Sequence, residues 1–158
     1  NALCNAGIAP VADMLKNGIK VGLGTDNGEG NFYENMRYLV LMQMGKNYSK
    51  HALTPLQGFQ IATEGGAFGL GYTDVGCLKE GYSADFQILT GNAAIQLTEK
   101  NVVAEVFWRK DPKDIKKVYV NGNLICQDGH SVNLDDERIR KDFSECVREF
   151  WKGQPYQD

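Results

Sequence analysis

Ile19-Lys-Val-Gly-Leu-Gly-Thr-Asp26-Asn27-Gly28 carries the strongest indication of architecture in this chain of 158 residues. Val21 and Leu23 alternate with small residues, which is typical of a strand buried by its neighbours. The run ends at the carboxylate of Asp26, and polar, glycine-rich sequence follows. In an α/β barrel, side chains at the C-terminal end of a strand face the active site. The segment therefore predicts an α/β fold, with an acidic group placed to bind a metal or move a proton in a hydrolytic site.

The residues on either side of this segment predict helices joined by short links. Ile8 to Lys16 has its apolar residues on one helical stripe, and Asn17-Gly18 is a typical C-terminal stop. Phe32 to Met44 has the same spacing and predicts a second helix. Thr54-Pro55 supplies an N-cap and a first helical residue for a third helix that continues to Thr63. Helix, strand and helix in this order favour an α/β architecture.

Short strands replace the helical pattern from Val75 onward. Ala84 to Leu89 predicts a strand, and Val118 to Ile125 predicts a hairpin around Asn121-Gly122, the favoured two-residue turn. Leu134 to Trp151 predicts a charged amphipathic helix. We therefore predict three parts: a helix–strand–helix part at residues 1–74, a part made of short strands at 75–129, and a C-terminal amphipathic helix at 130–158.

The composition excludes several classes of protein. A formal net charge of -3 and a pI near 5.4 provide no basic surface for nucleic acid. No apolar run is long enough for a membrane span and no signal-peptide pattern is present, so we expect a cytoplasmic protein with no membrane partner. The four cysteines are widely spaced and form no Cys-x-x-Cys pair. This spacing favours buried or incidental thiols in a reducing compartment over a zinc ribbon or a disulfide framework.

Four short motifs stand out along the chain. They are Gly7-Ile-Ala-Pro-Val11, Val21-Gly-Leu-Gly-Thr-Asp-Asn27, Ile61-Ala-Thr-Glu-Gly-Gly-Ala67 with Leu70-Gly71, and Gly76-x-Leu-x-x-Gly81-x-x-Ala-Asp85 followed by Val118-Tyr-Val-Asn-Gly122. In this order they resemble the C-terminal third of the amidohydrolase superfamily. Within it, the chain is similar to the branch that contains guanine deaminase, S-adenosylhomocysteine deaminase and the triazine chlorohydrolases. Each motif alone is modest, but the four in order are specific.

The resemblance implies a (β/α)8 barrel with a small β-sandwich built from both chain ends. Residues 1–74 would then be the last βα part of the barrel, and residues 75–129 the C-terminal strands of the sandwich. A complete barrel takes about 250 residues. We therefore expect the N-terminal half of the barrel to be missing from this sequence.

The resemblance also implies a function for Asp26 in the parent enzyme. Asp26 would be a ligand of a divalent metal, zinc or iron, and would shuttle a proton during hydrolysis of a C–N (non-peptide) or C–halogen bond. Deamination of a small purine-like heterocycle is the favoured activity. The family's His-x-His is absent, and His51 and His130 match none of its motifs. Because a catalytic zinc usually needs three protein ligands, we expect the chain alone to be inactive.

Several residues also have plain structural interpretations. Asp26 can simply cap the loop after a strand, and Asp85 is expected to accept hydrogen bonds from backbone amides. Asn27, Glu29 and Asn31 lie in the loop after Asp26, but no substrate-binding role is assigned to them. The alternative function is a non-catalytic remnant that acts as an interaction or oligomerisation module. Exposed strand edges and apolar faces promote association, so a homo-oligomer is expected under either interpretation.

Overall fold

A computed structural model describes residues 7–26, 30–91 and 95–152. Within these ranges, a π-helical turn at Ile61–Gly65 joins α3 to α4, and a 3-10 turn at Pro112–Asp114 precedes β2. The helices are α1 (Val11–Lys16), α2 (Phe32–Lys46), α3 (Pro55–Gln60), α4 (Gly66–Gly69), α5 (Val102–Arg109) and α6 (Asp136–Phe150). The strands are β1 (Phe86–Leu89), β2 (Ile115–Val120), β3 (Asn123–Gln127) and β4 (His130–Ser131), and they form one antiparallel sheet in the order β1-β2-β3-β4.

Helix α1 ends where the sequence predicts. Gly18 has a positive φ of 73°, its N–H donates to Leu15 O at 3.0 Å, and the N–H of Ile19 donates to Met14 O at 2.9 Å. These two bonds form a Schellman motif, which satisfies carbonyl groups that the helix end leaves without partners. The predicted start at Ile8 is too early, because Pro10 occupies the N-cap position and the helix begins at Val11.

Helices α2 and α3 both begin with side-chain caps, and the cap of α3 at Thr54 is the predicted one. The Asn31 side chain accepts a hydrogen bond from Glu34 N at 3.2 Å at the start of α2. Thr54 accepts from Gln57 N at 3.3 Å, while the Gln57 side chain accepts from Thr54 N at 2.9 Å. The Thr54–Gln57 pair is a capping box, which satisfies the backbone N–H groups of both residues at the start of α3.

The third helix does not stop at Thr63 as predicted. The backbone remains helical through Gly65 (φ -65°, ψ -40°) and Gly66 (φ -63°, ψ -48°), and the helix ends only at Gly69. Glycine lowers helix propensity but does not forbid helical dihedral angles. Glu64 therefore lies in a π-helical turn inside a continuous helix rather than at a helix end.

The prediction of a strand at Ile19–Leu23 is wrong, because these residues form no hydrogen-bonded ladder in the described structure. Residues 19–25 have no regular secondary structure, because none of the described strands lies beside them to complete a ladder. The predicted alternation is nevertheless present in the burial pattern. Val21, Leu23 and Thr25 are half-buried, whereas Gly22, Gly24 and Asp26 are exposed.

The hairpin between β2 and β3 is confirmed. Asn121 and Gly122 both have positive φ, at 48° and 75°, as a type I′ turn requires. Strand β1 begins at Phe86, two residues later than predicted, and pairs with β2. The rings of Phe86 and Tyr119 face each other across this pair and stack with centroids 4.7 Å apart.

The core lies among α1, α2, α3 and α5. Val40 of α2, Leu53 and Phe107 of α5 are completely buried. Phe107 packs edge-to-face on Phe59 of α3, with ring centroids 5.9 Å apart. Helix α5 coincides with the apolar run Val102 to Trp108, which stands out in an otherwise irregular stretch of sequence, and it packs on residues from the predicted first part. The predicted boundary between residues 74 and 75 stays a prediction.

Helix α6 begins with the Asp135 side chain accepting from Arg138 N at 3.0 Å, close to the predicted start at Leu134. None of its residues is buried. Across the described ranges, no helix combines the length and apolar character that crossing a membrane would need. Cys77 and Cys146 are exposed free thiols, which fits incidental rather than buried cysteines at these two positions, Cys126 is half-buried, and Cys4 lies outside the described residues.

Candidate active site

Asp26 lies at the end of the alternating segment, exposed and in a left-handed conformation with φ 54°. Aspartate is one of the few non-glycine residues that adopt this conformation readily. Residues 27–29 follow Asp26, and Asn27 and Glu29 therefore lie outside the described residues. Asn31 uses its side-chain oxygen to cap α2. The structure therefore describes Asp26 and Asn31 but not the loop between them.

A close backbone contact supports the segment that leads to Asp26. A Cβ atom added at Gly65 would lie 2.1 Å from the carbonyl oxygen of Val21, and one added at Gly22 would lie 3.0 Å from the carbonyl oxygen of Gly65. Only residues without side chains allow two backbones to approach this closely. The segment therefore rests directly on the π-helical turn.

Gln43 connects the two helices that flank the Asp26 segment. Its side chain is 1% exposed, accepts from Ala12 N at 3.1 Å and donates to Ala9 O at 2.9 Å. Both polar atoms of the buried amide are thus satisfied, and they bind backbone groups at the start of α1. Gln43 fixes α2, which follows the Asp26 loop, against α1, which precedes the segment.

Arg37 connects α2 to the end of α5. Its Nε donates to Phe107 O at 2.8 Å, a second nitrogen donates to Lys110 O, and Nη1 forms an ion pair with Asp111 at 2.9 Å. These bonds satisfy carbonyl groups at a helix C-terminus, where a cation is favourable. Sequence patterns did not reveal this contact, because its partners are 70 to 74 positions apart.

Tyr33 connects α2 to strand β1 of the sheet. Its hydroxyl donates to Gln87 Oε1 at 2.8 Å. Burial raises the pKa of Tyr33, the nearby carboxylate of Asp114 raises it further, and the Arg37 guanidinium opposes the shift. The phenol is therefore neutral at physiological pH and acts as a hydrogen-bond donor. Tyr33 is buried and belongs to the hydrophobic core.

No group of three His, Cys, Asp or Glu side chains that could hold a metal ion occurs within residues 7–26, 30–91 and 95–152. His51 is exposed in the turn before α3, and the Nδ1 atom of His130, the first residue of β4, lies 3.4 Å from Asp136 Oδ2. A catalytic zinc takes three protein ligands. Among the described residues, Asp26 is not part of a group of side chains large enough to hold a metal ion, so this part of the chain does not make a metal site by itself.

An open groove of about 360 Å³ lies between α1 and the α3–α4 helix. Leu15, Lys20, Glu64 and Phe68 are among the residues that line it, and the Lys20 ammonium sits over the Phe68 ring at 4.0 Å. Asp26 is not part of its lining. The groove and the candidate carboxylate are therefore separate features.

Asp85 has the structural role that the sequence predicts. Its Oδ1 accepts a hydrogen bond from Asn121 N at 2.6 Å. This bond joins the residue before β1 to the β2–β3 turn and so occupies the carboxylate with a backbone N–H. Asp85 is not a candidate catalytic acid.

Comparison with known proteins agrees with the four motifs. The model of the amidohydrolase family matches residues 1–125. The 5-methylthioadenosine/S-adenosylhomocysteine deaminase of Shouchella clausii is 35% identical over 152 residues, which cover 94% of this chain and 35% of that protein. The chain thus spans about a third of the length of the curated relatives that it matches.

Solved structures share the fold. An adenosine deaminase from Xanthomonas campestris with bound zinc superimposes with a TM-score of 0.83 at 17% identity, covering 92% of this chain and 34% of that chain. An atrazine chlorohydrolase from Arthrobacter aurescens complexed with zinc gives a TM-score of 0.76 at 22% identity, covering 90% and 33%. The predicted resemblance is confirmed: this chain belongs to the amidohydrolase family.

Proposed function

We propose that this chain is the C-terminal portion of a metal-dependent hydrolase that deaminates a purine-like or related heterocycle. The observation that carries the proposal is the position of Asp26, exposed at the end of a half-buried alternating segment. The relative with 35% identity over 94% of the chain is named a deaminase of 5-methylthioadenosine and S-adenosylhomocysteine, which favours an adenosine-type substrate.

The proposed organisation follows the family fold. Residues 1–74 supply the last βα part of a (β/α)8 barrel, 75–129 supply C-terminal strands of the composite β-sandwich, and 130–158 supply the terminal helix. The antiparallel β1–β4 sheet supports the second of these assignments. Helix α5 is the exception, since Phe107 packs on α2 and α3 and so belongs with the helical layer.

Hydrolytic deamination forms a C–O bond between water and a ring carbon and breaks the C–N bond to the amino group, which leaves as ammonia. A divalent metal, when bound, makes water a better nucleophile near neutral pH. The Asp26 carboxylate would bind that cation, accept a proton from the attacking water and deliver it to the departing nitrogen. The bound zinc named in two structural neighbours favours zinc over iron.

The remaining metal ligands and the substrate pocket would come from the two thirds of the relatives' length that this chain does not span. Asp26 is one carboxylate, and three protein ligands are the usual minimum for a catalytic zinc. We therefore propose that the isolated chain has no deaminase activity. The predicted cytoplasmic location and homo-oligomeric state stay predictions.

The test is an Asp26→Asn substitution in the native gene product that contains this sequence, with Asp13→Asn on α1 as the matched control. Ammonia release is measured with adenosine, 5-methylthioadenosine, S-adenosylhomocysteine and guanine, and zinc content is measured by elemental analysis. Asp26→Asn should lower kcat by about 10²- to 10⁴-fold, the range for a lost acid–base group, with the fold retained. Full activity of that variant would refute the role of Asp26.

A non-catalytic interaction module is the second candidate, and one observation favours it. Helix α6 exposes apolar side chains at Ile139, Phe143, Val147 and Phe150, which share one helical face. Such a face promotes association when it has no intramolecular partner. A native product that sediments as an oligomer, binds no zinc and releases no ammonia from the four substrates would favour this module over the deaminase.

A further inference from the structure

The contact between Gly65 and Val21 is the tightest approach that any described glycine makes. A Cβ atom at Gly65 would lie 2.1 Å from Val21 O and 3.1 Å from the Val21 carbonyl carbon, far inside any ordinary contact distance. Gly22 faces the same place from the other side, since a Cβ there would lie 3.0 Å from Gly65 O. Two glycines 43 positions apart thus leave each other room.

The requirement for glycine at position 65 is spatial and not conformational. Gly65 has φ -65° and ψ -40°, which any residue adopts in a helix. Its neighbour Gly66 has nearly the same dihedral angles, yet a Cβ atom at Gly66 would meet no atom within 4 Å. The two glycines therefore differ only in what lies opposite them, which is the backbone of Val21 for Gly65 and open space for Gly66.

The π-helical turn helps to produce this arrangement. It spans Ile61–Gly65, between the α-helical turns of α3 and α4. A π turn widens the helix locally and often occurs at functional sites. The widened turn ends at the residue on which the Val21 backbone rests, so the irregularity and the contact coincide.

Asp26 lies five residues after Val21, at the end of the same segment. Val21 and Leu23 pack against the core, but in the described parts of the chain the backbone groups of residues 20–26 form no hydrogen bond to another element. Among the described residues, packing is thus what holds this segment at its depth. We infer that Gly65 is a positioning residue for the Asp26 carboxylate, acting through the Val21 backbone.

This inference rests on the proposed function of Asp26, and its test separates the two. Gly65→Ala is compared with Gly66→Ala in the native gene product, each measured well below its own thermal midpoint. An alanine at position 65 forces the Val21 carbonyl to move by roughly 1 Å to reach an ordinary contact distance. A displacement of that size in a catalytic group lowers rates by up to about 100-fold.

The expected result for Gly65→Ala is a kcat lowered by about 10- to 100-fold with KM within about twofold of wild type. Zinc affinity, measured by chelator competition without substrate, should weaken by about 10-fold or more, because a ligand carboxylate is displaced. Gly66→Ala should leave kcat, KM and zinc affinity unchanged. A Gly65→Ala protein that loses thermal stability but keeps wild-type kcat and zinc affinity would overturn the inference.

If Gly65→Ala does not fold, Gly22→Ala takes its place. Its Cβ atom would lie 3.0 Å from Gly65 O, so the required displacement is smaller and the expected loss of kcat is only several-fold. Wild-type kcat and zinc affinity in a folded Gly22→Ala protein would then overturn the inference. Asp26→Asn serves as the reference: if it keeps full activity, the proposed function fails, whereas an inactive Asp26→Asn beside a fully active Gly65→Ala refutes only the positioning role.

Discussion

The carboxylate of Asp85 accepts a hydrogen bond from the backbone N–H of Asn121 at 2.6 Å, across 36 positions of sequence. The N–H of Gly122 donates to Ala84 O at 3.0 Å beside it. The Ala84-Asp85 pair before β1 thus holds both central residues of the turn between β2 and β3. The two halves of the fourth motif, which lie far apart in the sequence, therefore act as one structural unit.

Removing the Asp85 carboxylate should destabilise this unit. We expect Asp85→Ala to lower the free energy of unfolding by about 1–2 kcal/mol, since one charge-assisted hydrogen bond is lost at a partly solvated site. Asp85→Asn should cost less, because its amide oxygen can still accept from Asn121 N. Guanidinium denaturation followed by circular dichroism measures both, and Glu80→Ala, at an exposed acid in the preceding turn, is the control. Equal stability of Asp85→Ala and wild type would contradict this role.

Gly58 and Gly45 should respond in opposite directions to the same substitution. A Cβ atom at Gly58 would lie 2.8 Å from Phe107 Cε2 and 3.1 Å from Val40 Cγ2, whereas one at Gly45 would meet nothing within 4 Å. Gly58→Ala should therefore cost about 1–3 kcal/mol through overpacking, despite the gain in helix propensity. Gly45→Ala should stabilise α2 by up to about 1 kcal/mol.

The Gly58 prediction has an internal check in Phe107. In a double-mutant cycle, Phe107→Leu should offset part of the cost of Gly58→Ala, because it removes the ring that the new methyl group strikes. Thermal or chemical unfolding of the four proteins gives the coupling energy. Additive costs would show that the strain arises elsewhere.

Gln43 should be intolerant of an apolar replacement of similar size. Gln43→Leu removes the partner of the buried Ala12 N and a hydrogen bond to Ala9 O, so we expect a loss of about 1–3 kcal/mol in the free energy of unfolding. Gln60→Leu, at an exposed position of α3, should change stability by less than about 0.5 kcal/mol. Comparable effects of the two substitutions in urea denaturation would argue against this role of the Gln43 hydrogen bonds.

Asp114 should contribute to the decline in stability at acid pH. The backbone N–H of Asp111 donates to Asp114 Oδ2 at 2.9 Å. This bond is the main cause that lowers the pKa of Asp114 below its ordinary value of 3.8. The Thr90 hydroxyl and the nearby lysines lower it further. A pKa lowered in the folded state stabilises the protein above the unfolded pKa, and this contribution is lost as the pH falls through the folded value. Asp114→Asn should therefore be less stable than wild type near neutral pH, and the difference should shrink below about pH 4.

Denaturation midpoints measured between about pH 2 and pH 7 check this prediction. Glu99→Gln, at an exposed position outside the Asp111–Asp114 turn, is the matched control and should follow the wild-type curve. A constant difference between Asp114→Asn and wild type across the whole range would show that the hydrogen bond to Asp111 does not depend on the charge of Asp114.

The features that the sequence predicts correctly are local. The stop at Gly18, the cap at Thr54 and the turn at Asn121-Gly122 each depend on residues within a few positions, and backbone conformation together with nearby hydrogen bonds determines them. The helical pattern of Phe32–Lys46 is also local, because periodicity of 3.6 needs no distant partner. The four ordered motifs identified the family for a related reason, since each is a short contiguous signature.

The features that sequence patterns missed need a partner that is far away along the chain. Helix α5 is short, and its Phe107 becomes a core residue only because Gly58 leaves space for the ring. The segment at residues 19–25 has the alternation of a strand but lacks a neighbouring strand among the described residues, so no ladder forms. Patterns along one segment do not reveal what lies opposite it.

The sequence by itself determined the helix caps, the hairpin turn, the family and the candidate carboxylate at Asp26, because each depends on neighbouring residues or on contiguous motifs. Only the tertiary structure decided which of two adjacent glycines, Gly65 and Gly66, is in contact with the Asp26 segment. It also decided that Gln43 and Arg37 hold α2 against α1 and α5. The physical reason is that close packing and buried hydrogen bonds are properties of groups brought together in space, whatever their separation along the chain.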